Sequence, residues 1–278
     1  MLILAMVLVL ASACLHALWN ALLKRSRDIQ TASVGILAVS VAVTGCLAPW
    51  TRGPIFPDLP SVLWALGAGL GEACYFVTLA RALRSAPLGW SYSWMRGVGM
   101  LLVWPVSILC LGESFRPFSA VSVAVVCLGL AAMGLGAGRG RGFAAFFWAV
   151  TTGVFIAGYT LCYKCALASG AHPVGLYGLA MGVALPVQIG ISLRRPGFRA
   201  RLWDQWGLTL TAGVLCTASF LFYLQAMAME GAGLMATLRN TAIVFAVLFS
   251  RAIGERPTSR QWAGAALITA GAVGLAWH

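Results

Sequence analysis

Ten apolar runs, each about as long as a bilayer core is thick, constrain this chain more than any other feature. A helix needs about 20 predominantly apolar residues to cross that core. Such runs occupy roughly 2–23, 31–51, 59–82, 87–110, 117–137, 143–168, 173–193, 205–229, 232–253 and 258–277. Of 278 residues, 60% are hydrophobic and 9% charged, against about 25% charged in a soluble domain. The pattern predicts an all-α polytopic membrane protein with no room for a separate soluble domain. The first run lacks a basic leading segment and is read as a retained span rather than a cleaved signal. Most prolines mark helix starts and loops, whereas Pro105 and Pro186 fall inside runs and are expected to kink them.

The chain also repeats itself. Gly112-Glu113 closes one apolar run and precedes another, and Gly254-Glu255 does the same 142 residues later. Trp19 to Lys24 align with Tyr159 to Lys164 at an offset of 140, and the third and eighth runs align at about 144. The Gly-Arg stretch 138–142 divides the halves, giving 1–138 and 143–278 as two five-helix repeats. Five is odd, so the second copy must enter the membrane from the opposite side, as in many carriers.

A net charge of +12 suggests nucleic acid in a soluble protein. Here the basic residues sit between spans, and topology is the better account. Loops after odd-numbered spans hold 14 Lys and Arg, whereas the other side holds Arg52 and Arg116. The bias predicts odd loops in the cytoplasm and both termini outside the plasma (inner) membrane. The eight cysteines lie within apolar runs, without the spacing of a disulfide framework. Cys162 and Cys165 form an isolated CxxC on a helix and read as buried small hydrophobes.

Ten spans, an inverted repeat and paired Gly-Glu turns resemble the drug/metabolite transporter superfamily, in its EamA-like branch. The resemblance rests on Leu15 to Lys24, on Gly112-Glu113, and on Gly254-Glu255 followed by Gln261 to Ile268. It implies a transporter of small metabolites such as amino acids, amines or sugars, driven by exchange or by protons.

The candidate site residues come from polar groups inside spans. Glu72 lies 13 residues into its run, near mid-membrane at 1.5 Å per residue. A carboxyl there is costly to ionise and marks an ion or substrate path, so Glu72 is the candidate proton-coupling group. Arg96 and Arg239 are deep in matching positions and suit an anionic group or a brace on helix carbonyls. Asn240 adds a polar contact beside Arg239. His16, Trp19 and Asn20 share one face of the first span, and Tyr159 is the mate of Trp19 in the second copy. Aromatic groups with polar edges suit a cavity for amines or rings. Tyr75, one turn from Glu72, is expected to hydrogen-bond it. Trp94 and Lys164 complete the candidates. Trp90, Trp50, Trp203, Trp206 and Trp277 read as interfacial belt residues. The Gly67/Gly71, Gly134/Gly138 and Gly178/Gly182 spacings allow close helix approach, and the glycines before Glu72 would also permit bending. Glu113 and Glu255 are expected to favour the N-terminus of the following helix.

No nucleotide-binding loop, zinc motif or nucleophile elbow occurs. The chain is therefore read as a transporter rather than an enzyme, with neither cofactor nor metal and no nucleic-acid partner. Its partners are a small-molecule substrate, membrane lipids and protons, and it acts as a monomer or homodimer. The function expected is alternating-access secondary transport of an amino acid or related zwitterion or anion. Export of hydrophobic amines or quaternary ammonium compounds is the alternative, with flipping of a lipid-linked substrate as a further one.

Overall fold

A computed structural model describes residues 1–114, 117–136, 142–252, 254 and 256–276. Glu255, Arg116, Trp277 and the linker arginines Arg139 and Arg141 lie outside the described residues, as does Gly138 of one small-residue pair. The elements are α1 (Leu2–Arg25), α2 (Ile29–Leu47), α3 (Leu59–Ser85), α4 (Leu88–Leu111), α5 (Pro117–Gly136), α6 (Phe143–Ala168), α7 (Pro173–Leu193), α8 (Phe198–Asp204), α9 (Trp206–Met229), α10 (Ala232–Arg239), α11 (Ala242–Ala252) and α12 (Ser259–Ala276). Among the described residues there is no strand.

Local chemistry sets these boundaries. Asp28 caps α2 by accepting from the Gln30 and Thr31 amides, and Asp58 caps α3 by accepting from the Ser61 amide at 2.8 Å. Gly112 ends α4 in the left-handed region at φ 68°, where glycine carries no Cβ penalty. Both α4 and α7 run on past Pro105 and Pro186.

Among the described residues, eight helical segments are long and apolar enough to cross a membrane. The α10–α11 segment is among them, and α5 has a shorter apolar stretch, Pro117–Met133. Each of the ten expected runs lies on helix, but α5 and α12 are not among the eight span-length segments, and two further differences appear. The ninth run is two helices, broken at Asn240 and Thr241. The connection after α7 folds into the short α8, which the pattern did not announce.

Packing crosses between the halves. Helix α3 lies against α6 and α7, while α1 lies against α9, and α2 against both α7 and α9. Helix α4 meets α6, α1 meets α11, and α5 pairs with α12. Small residues permit the closest approach. A Cβ at Gly69 would stand 2.7 Å from the Val183 Cβ, and one at Gly71 would stand 3.1 Å from the Tyr159 Cβ. These glycines seat α3 on its neighbours, whereas a Cβ at Gly182 would meet nothing within 4 Å.

Helix ends gather at two faces of the bundle. One holds the turn at Asp28, the end of α3, and α8. The other holds the start of α1, the turn at Glu113, and the α9–α10 joint. They are called here the Asp28 face and the Glu113 face.

Candidate functional site

Halfway along the helices, the bundle buries what a membrane interior least tolerates. Glu72 is fully buried on α3, and Arg96 on α4 and Arg239 on α10 are 5% and 1% exposed. Charged groups so placed normally face the bundle interior and find partners there. His16, Trp19, Asn20, Tyr75, Tyr159 and Asn240 are buried at the same centre.

The guanidinium of Arg239 is the best-housed of the three charges. Its Cζ lies 3.9 Å from the ring centroid of Tyr223 and 4.6 Å from that of Phe220, within cation–π range. Its Nη2 donates to His16 Nδ1 at 3.0 Å. The indole of Trp19 points at the same Nδ1 from 3.2 Å. Arginine and indole nitrogens only donate. Nδ1 must therefore hold its lone pair, and the imidazole proton sits on Nε2. The Tyr92 hydroxyl donates to the His16 carbonyl at 3.3 Å, and its ring lies 6.0 Å from Arg96 Cζ.

Glu72 finds its hydrogen bond elsewhere than expected. Tyr163 of α6 donates to its Oε1 at 3.2 Å. Tyr75 instead sets its ring edge against Tyr159, with centroids 5.4 Å apart. A residue one turn away on the same helix shares its face, but α6 crosses α3 closely enough to bring the better-aimed hydroxyl. Among the described residues, several polar atoms at this level have no hydrogen-bond partner: Glu72 Oε2, Tyr159 Oη, Arg96 Nη2, Arg239 Nε and Asn20 Oδ1. Buried polar atoms are ordinarily satisfied, so these five are exceptions. The Asn240 side chain donates to Met100 Sδ at 3.0 Å.

Two expected site residues stand apart. The Lys164 ammonium reaches the Met227 and Glu230 carbonyls, both at 2.9 Å, at the end of α9. A cation there answers the unpaired carbonyls and the helix dipole. Trp94 faces α5 and α6, 4.8 Å from the Phe146 centroid, beside an apolar groove that Leu130 and Ala131 help to line. Trp90 is not an interfacial residue; it is 4% exposed and packs on Trp94. By contrast Trp50 and Trp203 are exposed, as a belt requires.

Sequence reasoning missed Tyr163, Ser219, Phe220 and Tyr223. The repeat offset holds a signal for one of them, because Phe76 and Phe220 are mates at 144. Trp19 meets Phe76 with centroids 6.1 Å apart, and Tyr159 meets Phe220 at 6.1 Å.

Each face closes differently over this centre. On the Glu113 face a cavity of about 360 Å³ is lined by Trp104, Glu113, Ser114, Glu230, Leu234 and Thr237, among others. Thr237 is two residues from Arg239, roughly 3 Å along the helix axis. Glu113 accepts from the amides of Ala232 and Gly233, the latter at 3.1 Å. It caps α10, a helix of the other half, rather than the following α5. A Cβ at Gly231 would stand 2.6 Å from its Oε2, so only glycine lets the carboxylate so close.

On the Asp28 face, Asp28 accepts from Arg84 at 2.7 Å and lies 3.3 Å from Arg195 and 3.8 Å from Arg201. Burial pushes its carboxyl up, but the Thr31 hydrogen bonds and the charges of Arg195 and Arg84 outweigh that and hold it below the usual carboxylate value. The cluster ties together the ends of α1, α3 and α7. Below it the Gln30 side chain donates to Gln188, which donates to the Ala73 carbonyl at 2.8 Å.

A crystal structure of another protein superposes on this chain with a TM-score of 0.74. The two are 17% identical, and the match covers 97% of this chain and 95% of the other; at that identity the likeness is one of fold. No curated protein matches the sequence. Residues 143–277 match the model of the EamA-like transporter family. The match over the second half of the chain supports a multi-pass membrane transporter of the EamA-like, drug/metabolite type.

Proposed function

We propose that this transporter is a secondary carrier of a small zwitterionic or anionic metabolite, an amino acid being the best fit. The observation that carries the reading is the buried centre, where one carboxyl and two guanidiniums each keep an unpartnered atom. An α-carboxylate matches the fork of Arg239 or Arg96. An ammonium matches Glu72 Oε2 and the ring faces of Tyr75 and Tyr159. Asn20 and Asn240 add neutral polar edges, and His16 and Trp19 hold Arg239 in place.

The crossed packing of α3 on α6 and α1 on α9 supports two inverted five-helix repeats, 1–138 and 143–278, with the site between them. The cavity on the Glu113 face and the ion cluster on the Asp28 face support a state open toward one side. Alternating access would then open the Asp28 cluster and close the cavity. Glu72 would take up and release the coupling proton. The excess of basic residues on the Asp28 face supports a cytoplasmic location for it, in the plasma membrane. Under this reading Lys164 and Trp94 support the helices around the site rather than contact substrate.

Transport by purified protein in liposomes tests the proposal, using amino acids, amines and sugar phosphates with and without a pH gradient. Gradient-driven accumulation of an amino acid is the expected result. Movement of no small solute, together with scrambling of labelled lipid, would replace the reading by lipid flipping. The aromatic wall of Tyr75, Tyr159, Phe220 and Tyr223 favours a second reading, export of a hydrophobic amine. The same panel separates it, because such a substrate would move while amino acids do not.

A further inference from the structure

The sequence Arg194-Arg195-Pro196-Gly197-Phe198-Arg199-Ala200-Arg201-Leu202-Trp203-Asp204-Gln205-Trp206 packs four arginines and two tryptophans into one connection. Gly197 turns the chain with φ 71°, and α8 follows. Its inner side points at the protein: Arg201 Nε is 3.8 Å from Asp28 Oδ2, and Gln205 Oε1 accepts from the Asp28 amide at 3.4 Å. Residues four apart share a helix face, so Arg199 and Trp203 lie together. Both are exposed, as is Arg194.

The acidic groups nearby are already engaged. Asp28 holds Arg84, Arg195 and Arg201, and Asp204 accepts from Arg27 at 2.6 Å. Among the described residues, Arg194 and Arg199 have no carboxylate within ion-pair distance. The surface beside them is apolar. Leu193 and Trp206 are 59% and 58% exposed, Trp203 is 76% exposed, and Leu210 continues the strip along α9. The corresponding connection after α2, residues 48–58, carries Arg52 as its only basic residue.

We infer that the α7–α8–α9 elbow is a docking surface for the headgroup of an anionic phospholipid. Arg194 and Arg199 take the phosphate, for which the guanidinium fork is suited. Trp203 and Trp206 stand at the level where aromatic side chains meet the headgroup region. Leu193 and Leu210 lie along the acyl chains. The continuity of charge, ring and apolar strip, in that order toward the membrane, selects a lipid over a free anion. The inference stands apart from the transport reading and from which face is cytoplasmic.

Thermal unfolding of the full chain in neutral detergent tests it. Dioleoylphosphatidylglycerol is compared with dioleoylphosphatidylcholine at equal mole fraction, for the native protein, Arg194→Gln/Arg199→Gln, and Arg52→Gln on the other face. The expected result is a rise of a few degrees specific to phosphatidylglycerol, kept in Arg52→Gln, at least halved in the double variant, and weakened by added salt. Equal rises with both lipids would overturn the inference, as would an undiminished rise in the double variant. If inorganic phosphate alone reproduces the rise, the surface takes a free anion and the lipid assignment fails. Should the double variant not fold, Arg199→Gln alone gives the same comparison, with a reduced specific rise supporting the surface and an unchanged one removing it.

Discussion

Lys24 reaches the Leu83 and Ala86 carbonyls at 2.5 and 2.6 Å, and Lys164 reaches the Met227 and Glu230 carbonyls at 2.9 Å. The two lysines are 140 residues apart and their acceptors 144. Each closes the end of the third membrane-length helix in its own half. About three turns toward the middle, the likeness stops. Glu72, paired with Tyr163 across the halves, has Cys216 as its mate, and Cys216 lies 3.5 Å from the Tyr177 hydroxyl. The mate of Tyr163 is Leu23. The lysines thus recur at two helix ends, and buried arginines recur as Arg96 and Arg239, whereas the buried carboxyl of Glu72 has no counterpart.

The sharpest test of that contrast is Glu72→Gln against Cys216→Ser. We expect the first to bring gradient-driven accumulation to background in liposomes while exchange persists, and the second to leave both near native levels. Equal loss in the two variants would break the contrast. Next, Arg239→Gln removes a stacked, hydrogen-bonded cation. It should cost about 1.5–3 kcal/mol in denaturant unfolding together with substrate binding. Arg96→Gln should cost binding with a smaller stability loss, because the Tyr92 ring centroid is 6.0 Å from its Cζ. Stability losses of equal size would show that the two arginines are used alike.

The lysine pair gives a smaller and more symmetric effect. Lys24→Met and Lys164→Met should each cost about 0.5–1.5 kcal/mol, by similar amounts, with substrate affinity unchanged. A loss of affinity confined to Lys164→Met would return that residue to the binding site. The smallest effect concerns pH. The folded Asp28 carboxyl sits below its ordinary value of 3.8, so its contribution to stability is complete above that value and fades as pH falls through the folded one. Asp28→Asn should flatten the acid limb of a stability–pH curve, and an unchanged limb would count against the cluster.

Much of this was legible in the chain, for identifiable reasons. Apolar runs announce spans because hydrocarbon leaves a helix little alternative, and the Gly-Glu turns aligned the halves well enough to separate Glu72 from its mate. The break at Asn240 and Thr241 was hidden because neither residue is a helix breaker of the proline kind. Helix α8 was hidden because Pro196 and Gly197 read as a loop. Tyr163 was hidden for a different reason. Spacing along one helix finds neighbours on that helix, whereas the hydroxyl that meets Glu72 arrives from α6, through a crossing that Gly71 permits. Lys164 was read from its depth in a span, which does not reveal that the long side chain reaches the carbonyls at a helix end.

The broken ninth span has a mechanical consequence. Helix α10 has 8 residues and is therefore roughly 12 Å long. Its foot is fastened by Glu113, and its tip carries Arg239 to the molecule's centre. It is a short lever with a pinned fulcrum and a jointed far end. A tilt of about 10° about the foot moves the tip by roughly 2 Å, from the rise per residue alone. Travel of that size would be enough to part Arg239 from His16, which lie 3.0 Å apart.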